Sequence, residues 1–162
     1  MAAEERIQHW IRALNLGQHP EGGWFSEVYT AGAEYGLSKD GRNLGGSIYF
    51  LLAKEEISHL HVIDCDEIWY HHEGCGVRLW VLDGKGGIRS ELLGCGEGMK
   101  PMVVIPKGVI FGAENIDPAS YTLMSCATLP KFHYEGFRLV PRSELDQQYP
   151  EENGFLTRMT IE

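Results

Sequence analysis

The sequence predicts an all-β sandwich or barrel preceded by one helix. Three observations carry this. Twenty glycines and seven prolines are spread between short apolar runs, a spacing that marks frequent turns. About eight to ten such runs follow one another, with turn residues every eight to twelve positions. Only the start of the chain shows a clear helical period: Ile7, Trp10, Ile11 and Leu14 fall at i, i+3, i+4 and i+7 and make one apolar stripe over 4–14, which Gly17 would end.

The elements follow in order. His19-Pro-Glu-Gly-Gly-Trp-Phe makes a turn into a first strand near 24–29. Residues 31–46 hold five glycines and several charges and read as a long loop, a mobile lid or a connection. Strands are expected at 47–52, 59–63, 67–72, 77–82, 88–93, 101–105, 109–111 and 121–127. A last one is expected near 137–140, and a short helix would begin at Ser143. No internal repeat or low-complexity tract interrupts them. The 162 residues suit a single domain over the whole chain, with a barrel at about 24–141 and a short C-terminal tail.

Composition excludes several classes of function. Apolar residues make up 43% and charged residues 23%, ordinary globular values that exclude disorder. The net charge of -9, with Arg and Lys scattered, excludes a nucleic-acid partner. No apolar stretch reaches membrane-spanning length, and the first residues lack the features of a signal peptide, so a cytoplasmic protein with no membrane partner is expected. Cys65, Cys75, Cys95 and Cys126 lie ten, twenty and thirty-one positions apart. That is no zinc pattern, and free thiols are expected.

One segment concentrates the chemistry: Ser58-His-Leu-His-Val-Ile-Asp-Cys-Asp-Glu-Ile-Trp-Tyr-His-His-Glu-Gly74. Alternation on a strand puts His59 and His61 on one face. It puts Glu67, Trp69 and His71 together and Tyr70 and His72 opposite them, unless a bulge swaps the assignment. Two imidazoles and a carboxylate are ligands for a divalent transition metal such as iron, manganese, nickel or zinc, so His59, His61, Glu67 and His72 are the candidate metal ligands. Trp24, Phe50, Trp69, Trp80, Phe111, Tyr121 and Phe132 are candidate walls of a small-molecule pocket, with His72, Arg78 and Glu67 to orient a ligand. Glu21-Gly22-Gly23 would line the pocket mouth or form an exchanged edge strand.

These segments resemble the cupin superfamily, and more closely its YML079-like, DUF985-type branch of unknown function. HPEGGWFSEVY (19–29), SIYFLL (47–52), DEIWYHHEG (66–74), VVIPKG (103–108) and YTLMSCATLPKFHYEGFRLVPRSEL (121–145) carry the resemblance. It implies a cupin-type double-stranded β-helix, a jelly-roll barrel, with an N-terminal helix, and a homodimer paired through its sheets. The general cupin metal pattern would fall on His59, His61 and Glu67, with a further histidine in a second motif. That motif is recognisable at Pro106-Lys-Gly108 and Asn115, but Phe111 stands where its histidine would be.

Three functions remain open at this level. The first is an isomerase or epimerase of a sugar or sugar nucleotide. In it His61 is the base, Glu67 or Asp66 orients its ring, and Tyr49, Tyr70 or Tyr134 is the acid. The second is a metal-dependent oxygenase or lyase, and the third is a module that binds a small polar molecule without chemistry.

Overall fold

The computed structural model describes residues 2–161. Helix α1 (Ala3–Ala13) precedes β1 (Gly17–Gln18), β2 (Trp24–Thr30), β3 (Gly46–Ala53), β4 (Ile57–Ile63), β5 (Asp66–Gly74) and β6 (Val77–Leu82). Then come β7 (Ile88–Leu93), β8 (Met102–Ile105), β9 (Ile110–Asn115), β10 (Tyr121–Leu129) and β11 (Phe137–Leu139). Helices α2 (Arg142–Leu145) and α3 (Asn153–Met159) close the chain. The strands form a six-stranded sheet, β1-β2-β3-β10-β5-β8, facing a five-stranded sheet, β11-β4-β9-β6-β7. All the strand pairs are antiparallel, giving the jelly-roll sandwich that the turn spacing predicts.

Inward side chains of both sheets fill the space between them: Phe50, Leu52, Ile63, Trp69, Leu79, Val81, Ile105, Phe111 and Met124, among others. Asn115 ties the two layers together. Its amide donates to the carbonyls of Leu52 and Lys54, 3.0 and 2.9 Å away, and accepts from Thr122 Oγ1 at 2.8 Å. Strand β9 extends well past the predicted 109–111. Pairing with both β4 and β6 outweighs the weak strand preference of its Gly112-Ala113-Glu114-Asn115 end.

Helices cover the outer faces in part. The stripe of α1 lies on Leu51 and Leu123 of the six-stranded sheet. Arg6 holds the helix there through two hydrogen bonds to Glu73, 2.6 and 2.7 Å long, and Trp10 Nε1 adds a third at 3.1 Å. The C-terminal segment is more than a tail. Leu145, Tyr149, Leu156 and Met159 pack on Leu60 and Leu82, sealing the outside of the five-stranded sheet. The 31–46 segment contains a 3-10 turn at Ala33–Tyr35 and a bridge between Leu37 and Asn43. Arg42 fastens it, donating to Asp40, Asp64 and the Lys131 carbonyl. Among the described residues no helix is long and apolar enough to cross a membrane.

The segment 19–23 decides where the site lies. Gly22 and Gly23 have φ of +108° and +80°, in the region that costs any other residue strain. They also run against neighbouring strands: a Cβ on Gly22 would stand 1.9 Å from the Ile57 carbonyl oxygen, and one on Gly23 2.9 Å from that of Leu51. This close approach carries Glu21 into the interior. Gly22→Ala is therefore expected to cost about 2–4 kcal/mol in urea unfolding. Gly17→Ala, where a Cβ meets nothing within 4 Å, should change stability by less than about 1 kcal/mol.

Candidate functional site

A cavity of about 320 Å³ opens between the sheets at the β2–β3 end. His61 from β4, Glu67 from β5 and Cys126 from β10 reach it from the strands. His19 and Glu21 reach it from the glycine-bearing turn, and Phe132, His133 and Tyr134 from the segment after β10. Phe25, Ile48 and Ile63 complete its apolar wall, and Lys131 and Glu27 stand at the rim.

Backbone groups fix the protonation of its imidazoles. His61 Nδ1 lies 2.7 Å from the His59 carbonyl oxygen. A carbonyl only accepts, so Nδ1 carries a proton and donates it. The free nitrogen, Nε2, faces Glu21 Oε2 at 3.1 Å. Burial drives the Glu21 carboxyl above its usual range and the His61 imidazole below its own. Both shifts favour a neutral pair, in which Glu21 keeps the proton and donates it to Nε2. Ser58 Oγ donates to the other Glu21 oxygen at 2.8 Å. The Glu21 amide in turn donates to His19 Nδ1 at 3.2 Å, which leaves His19 protonated on Nε2.

Glu67 is the second buried acid. Its burial is the main cause that pushes its pKa from an ordinary 4.5 to about 7. The Cys126 thiol is its hydrogen-bonding neighbour, and burial raises that thiol well above the usual range, so it stays protonated. A carboxyl poised near neutrality beside an imidazole with a fixed tautomer suits proton transfer.

The structure brings only some of the sequence-predicted residues together. His61, Glu67, Phe132 and Tyr134 share the cavity. His59 does not: its Nδ1 donates to the Glu21 carbonyl at 2.7 Å, and its ring lines a shallow cleft on the other side of the 19–23 turn. The pairing of β4 with β9 is irregular between Ser58 and His61, so the simple alternation fails there. Tyr49, Tyr70 and His72 lie on the outer face of the six-stranded sheet, where His72 meets Ser125 Oγ. They cannot act in the cavity.

Arg78 and Trp80 are also outside. The guanidinium stacks 5.3 Å from the indole and donates to Ser90, and Trp80 packs on Phe155 of α3. Tyr121 bonds Glu73 beneath α1, and Trp24 donates to Glu56 near the same helix. Trp69, Phe50 and Phe111 are core residues, with Phe111 lying 4.3 Å from the His61 ring. Asp66 accepts from the Lys107 amide and orients nothing in the site. The partner that orients His61 is Glu21. Only the paired glycines beside it signalled a close approach.

The sequence pattern of the family described as "Cupin superfamily (DUF985)" matches residues 8–140. The chain belongs to the cupin superfamily. Among solved structures, protein SO0799 from Shewanella oneidensis is 30% identical with a TM-score of 0.86, covering 99% of this chain and 98% of its own. A hypothetical protein from Leishmania major is 31% identical with a TM-score of 0.82, over 96% and 98%. Oxalate decarboxylase from Bacillus subtilis is 17% identical, with a TM-score of 0.57 over 86% of this chain and 36% of that one, and shares the fold alone. No curated protein matches the chain.

The residues present do not fit the metal set of the general cupin pattern. Among the described residues no three His, Cys, Asp or Glu side chains converge as a metal site would require. His61 has a protonated Nδ1, and its Nε2 is occupied by Glu21. His59 and His72 face elsewhere, and Phe111 fills the remaining position.

The raised pKa of Glu67 makes a stability prediction. Below pH 4.5 the group is protonated in both folded and unfolded chains. Between 4.5 and about 7 the unfolded chain loses this proton and the folded one keeps it. The associated stability is therefore lost as pH rises, by roughly 3 kcal/mol in all. Glu67→Gln should gain stability relative to the native chain by up to that amount between pH 5 and pH 8, read by urea unfolding. A difference independent of pH would show that Glu67 does not titrate in this way.

Proposed function

We propose that this cupin is a proton-transfer enzyme, an isomerase or epimerase working at a carbon next to a carbonyl. The observation that carries the reading is the pairing, in one small cavity, of a carboxyl titrating near neutrality with a neutral acid–imidazole pair. Glu67 in its ionised form takes the proton from carbon. The Glu21–His61 pair returns one, Glu21 supplying the proton and His61 holding it in place. This assignment departs from His61 as the base and a strand tyrosine as the acid, because Tyr49 and Tyr70 lie outside the cavity. Tyr134, at the mouth, is the one tyrosine of the three that reaches it.

Size narrows the substrate. A volume of about 320 Å³ lies at the small end of ligand sites. It suits a group of monosaccharide size inside the cavity.

The test is deuterium exchange. Small hydroxy- and amino-carbonyl compounds are incubated with the protein in heavy water and followed by NMR. The expected result is enzyme-dependent deuterium at the carbon next to the carbonyl. Its rate should rise with pH through about 7, where Glu67 ionises, and fall about 10²–10⁴-fold in Glu67→Gln. A compound that binds in the cavity while its C–H bonds stay unexchanged would make the protein a binding module instead.

The expected homodimer also has support. Strand β8 is an open sheet edge, and Met102 and Val104 on it are exposed; such edges are usually paired or covered. Light scattering should give twice the chain mass, and Val104→Lys should halve it. A monomeric native protein would remove this assignment.

A further inference from the structure

The charges around the cavity are arranged unevenly. The lysine at its rim is already held by a carboxylate, with Lys131 Nζ 2.5 Å from Glu27, and His133 Nε2 lies 3.1 Å from Asp64, to which Arg42 also donates. Inside, burial holds His19 and His61 toward their neutral forms. Among the described residues the interior therefore offers two carboxyl groups and no unpaired lysine or arginine, which disfavours an anionic ligand.

The walls show the matching feature. Phe25, Phe132 and Tyr134 gather around the His19 ring, with centroids 4.7, 6.3 and 6.3 Å away. Phe132 and Tyr134 meet at 82° with centroids 5.2 Å apart, so the wall turns a corner around the cavity. Ring faces carry negative charge density and attract cations, most strongly where water is excluded.

We propose that the molecule bound here carries a protonated amine, held between the Glu67 carboxylate and the Phe25–Phe132–Tyr134 wall. This deepens the proton-transfer reading and rests on the same cavity: the substrate class becomes a small amino-carbonyl compound, such as an amino sugar, and sugar phosphates are excluded. An ammonium group donates to a carboxylate whose hydrogen-bonding neighbour is otherwise the Cys126 thiol, and it relieves the cost of ionising a buried acid. Binding is thus coupled to loss of the Glu67 proton. The groups that face Glu67 and share in this titration are Glu21 from the turn, His61 from β4, Cys126 from β10 and Cys65 before β5.

The experiment compares choline with its neutral isostere 3,3-dimethyl-1-butanol, titrated into the full chain by NMR at pH 8 and pH 5.5. Choline should bind about tenfold or more tightly than the isostere at pH 8. The preference should shrink at pH 5.5, where Glu67 is protonated, and vanish in Glu67→Gln. Phe132→Leu should weaken choline about fivefold or more and the isostere by less than about twofold.

Equal affinities at pH 8, binding of neither compound, or displacement of choline by glucose 6-phosphate would each overturn the proposal. The two readings fail separately. Equal affinities with deuterium exchange intact would remove the amine and leave the proton transfer. A choline preference without exchange on any amino-carbonyl compound would keep the amine site and remove the enzyme.

Discussion

The hydrogen bond between Glu21 and His61 is the contact on which the rest of the site depends. It joins a carboxyl from a turn near the N-terminus to an imidazole on a central strand, forty residues later in the chain. Neither group is stable in the interior as a charge. Together they form a neutral unit whose single shared proton satisfies both. The two glycines after Glu21 are what allow the turn to come close enough. The same turn closes the cavity in which burial raises Glu67, so one backbone approach shapes the acid–base character of the site.

Much of the fold was legible in the sequence, because turn residues and period-two runs report strand ends and faces directly. In β5 the alternation separates Glu67 and Trp69, which face inward, from Tyr70 and His72, which face out. The site was less legible. His59 and His61 diverge because the β4–β9 register is irregular between them, and no residue type announces that. Arg78 and Trp80 misled for a different reason: both faces of β6 are covered, one by the core and one by the C-terminal helices, so its pattern does not say which face holds the pocket. Glu21 and His19 enter through a contact with distant strands, which periodicity cannot show. The glycines beside them were the visible trace.

The cavity also illustrates why such sites are kept small. A buried carboxyl near neutrality weakens the folded state at the pH where it would be useful. The surrounding layers offset this. Asn115 links the two sheets, α1 is fastened through Glu73, and the C-terminal helices bury a second apolar face. The polar groups of the pocket sit inside a frame that is otherwise largely apolar.

Phe111 has a consequence for how this cupin can change over time. Its ring lies against His61 where the general cupin pattern has a histidine. Restoring that histidine alone would leave His61 Nε2 still bound to Glu21, and removing Glu21 alone would leave the aromatic plug in place. A metal centre on His61 would require both changes. The acid–imidazole pair and the phenylalanine thus each block a metal at His61, and no single substitution removes both.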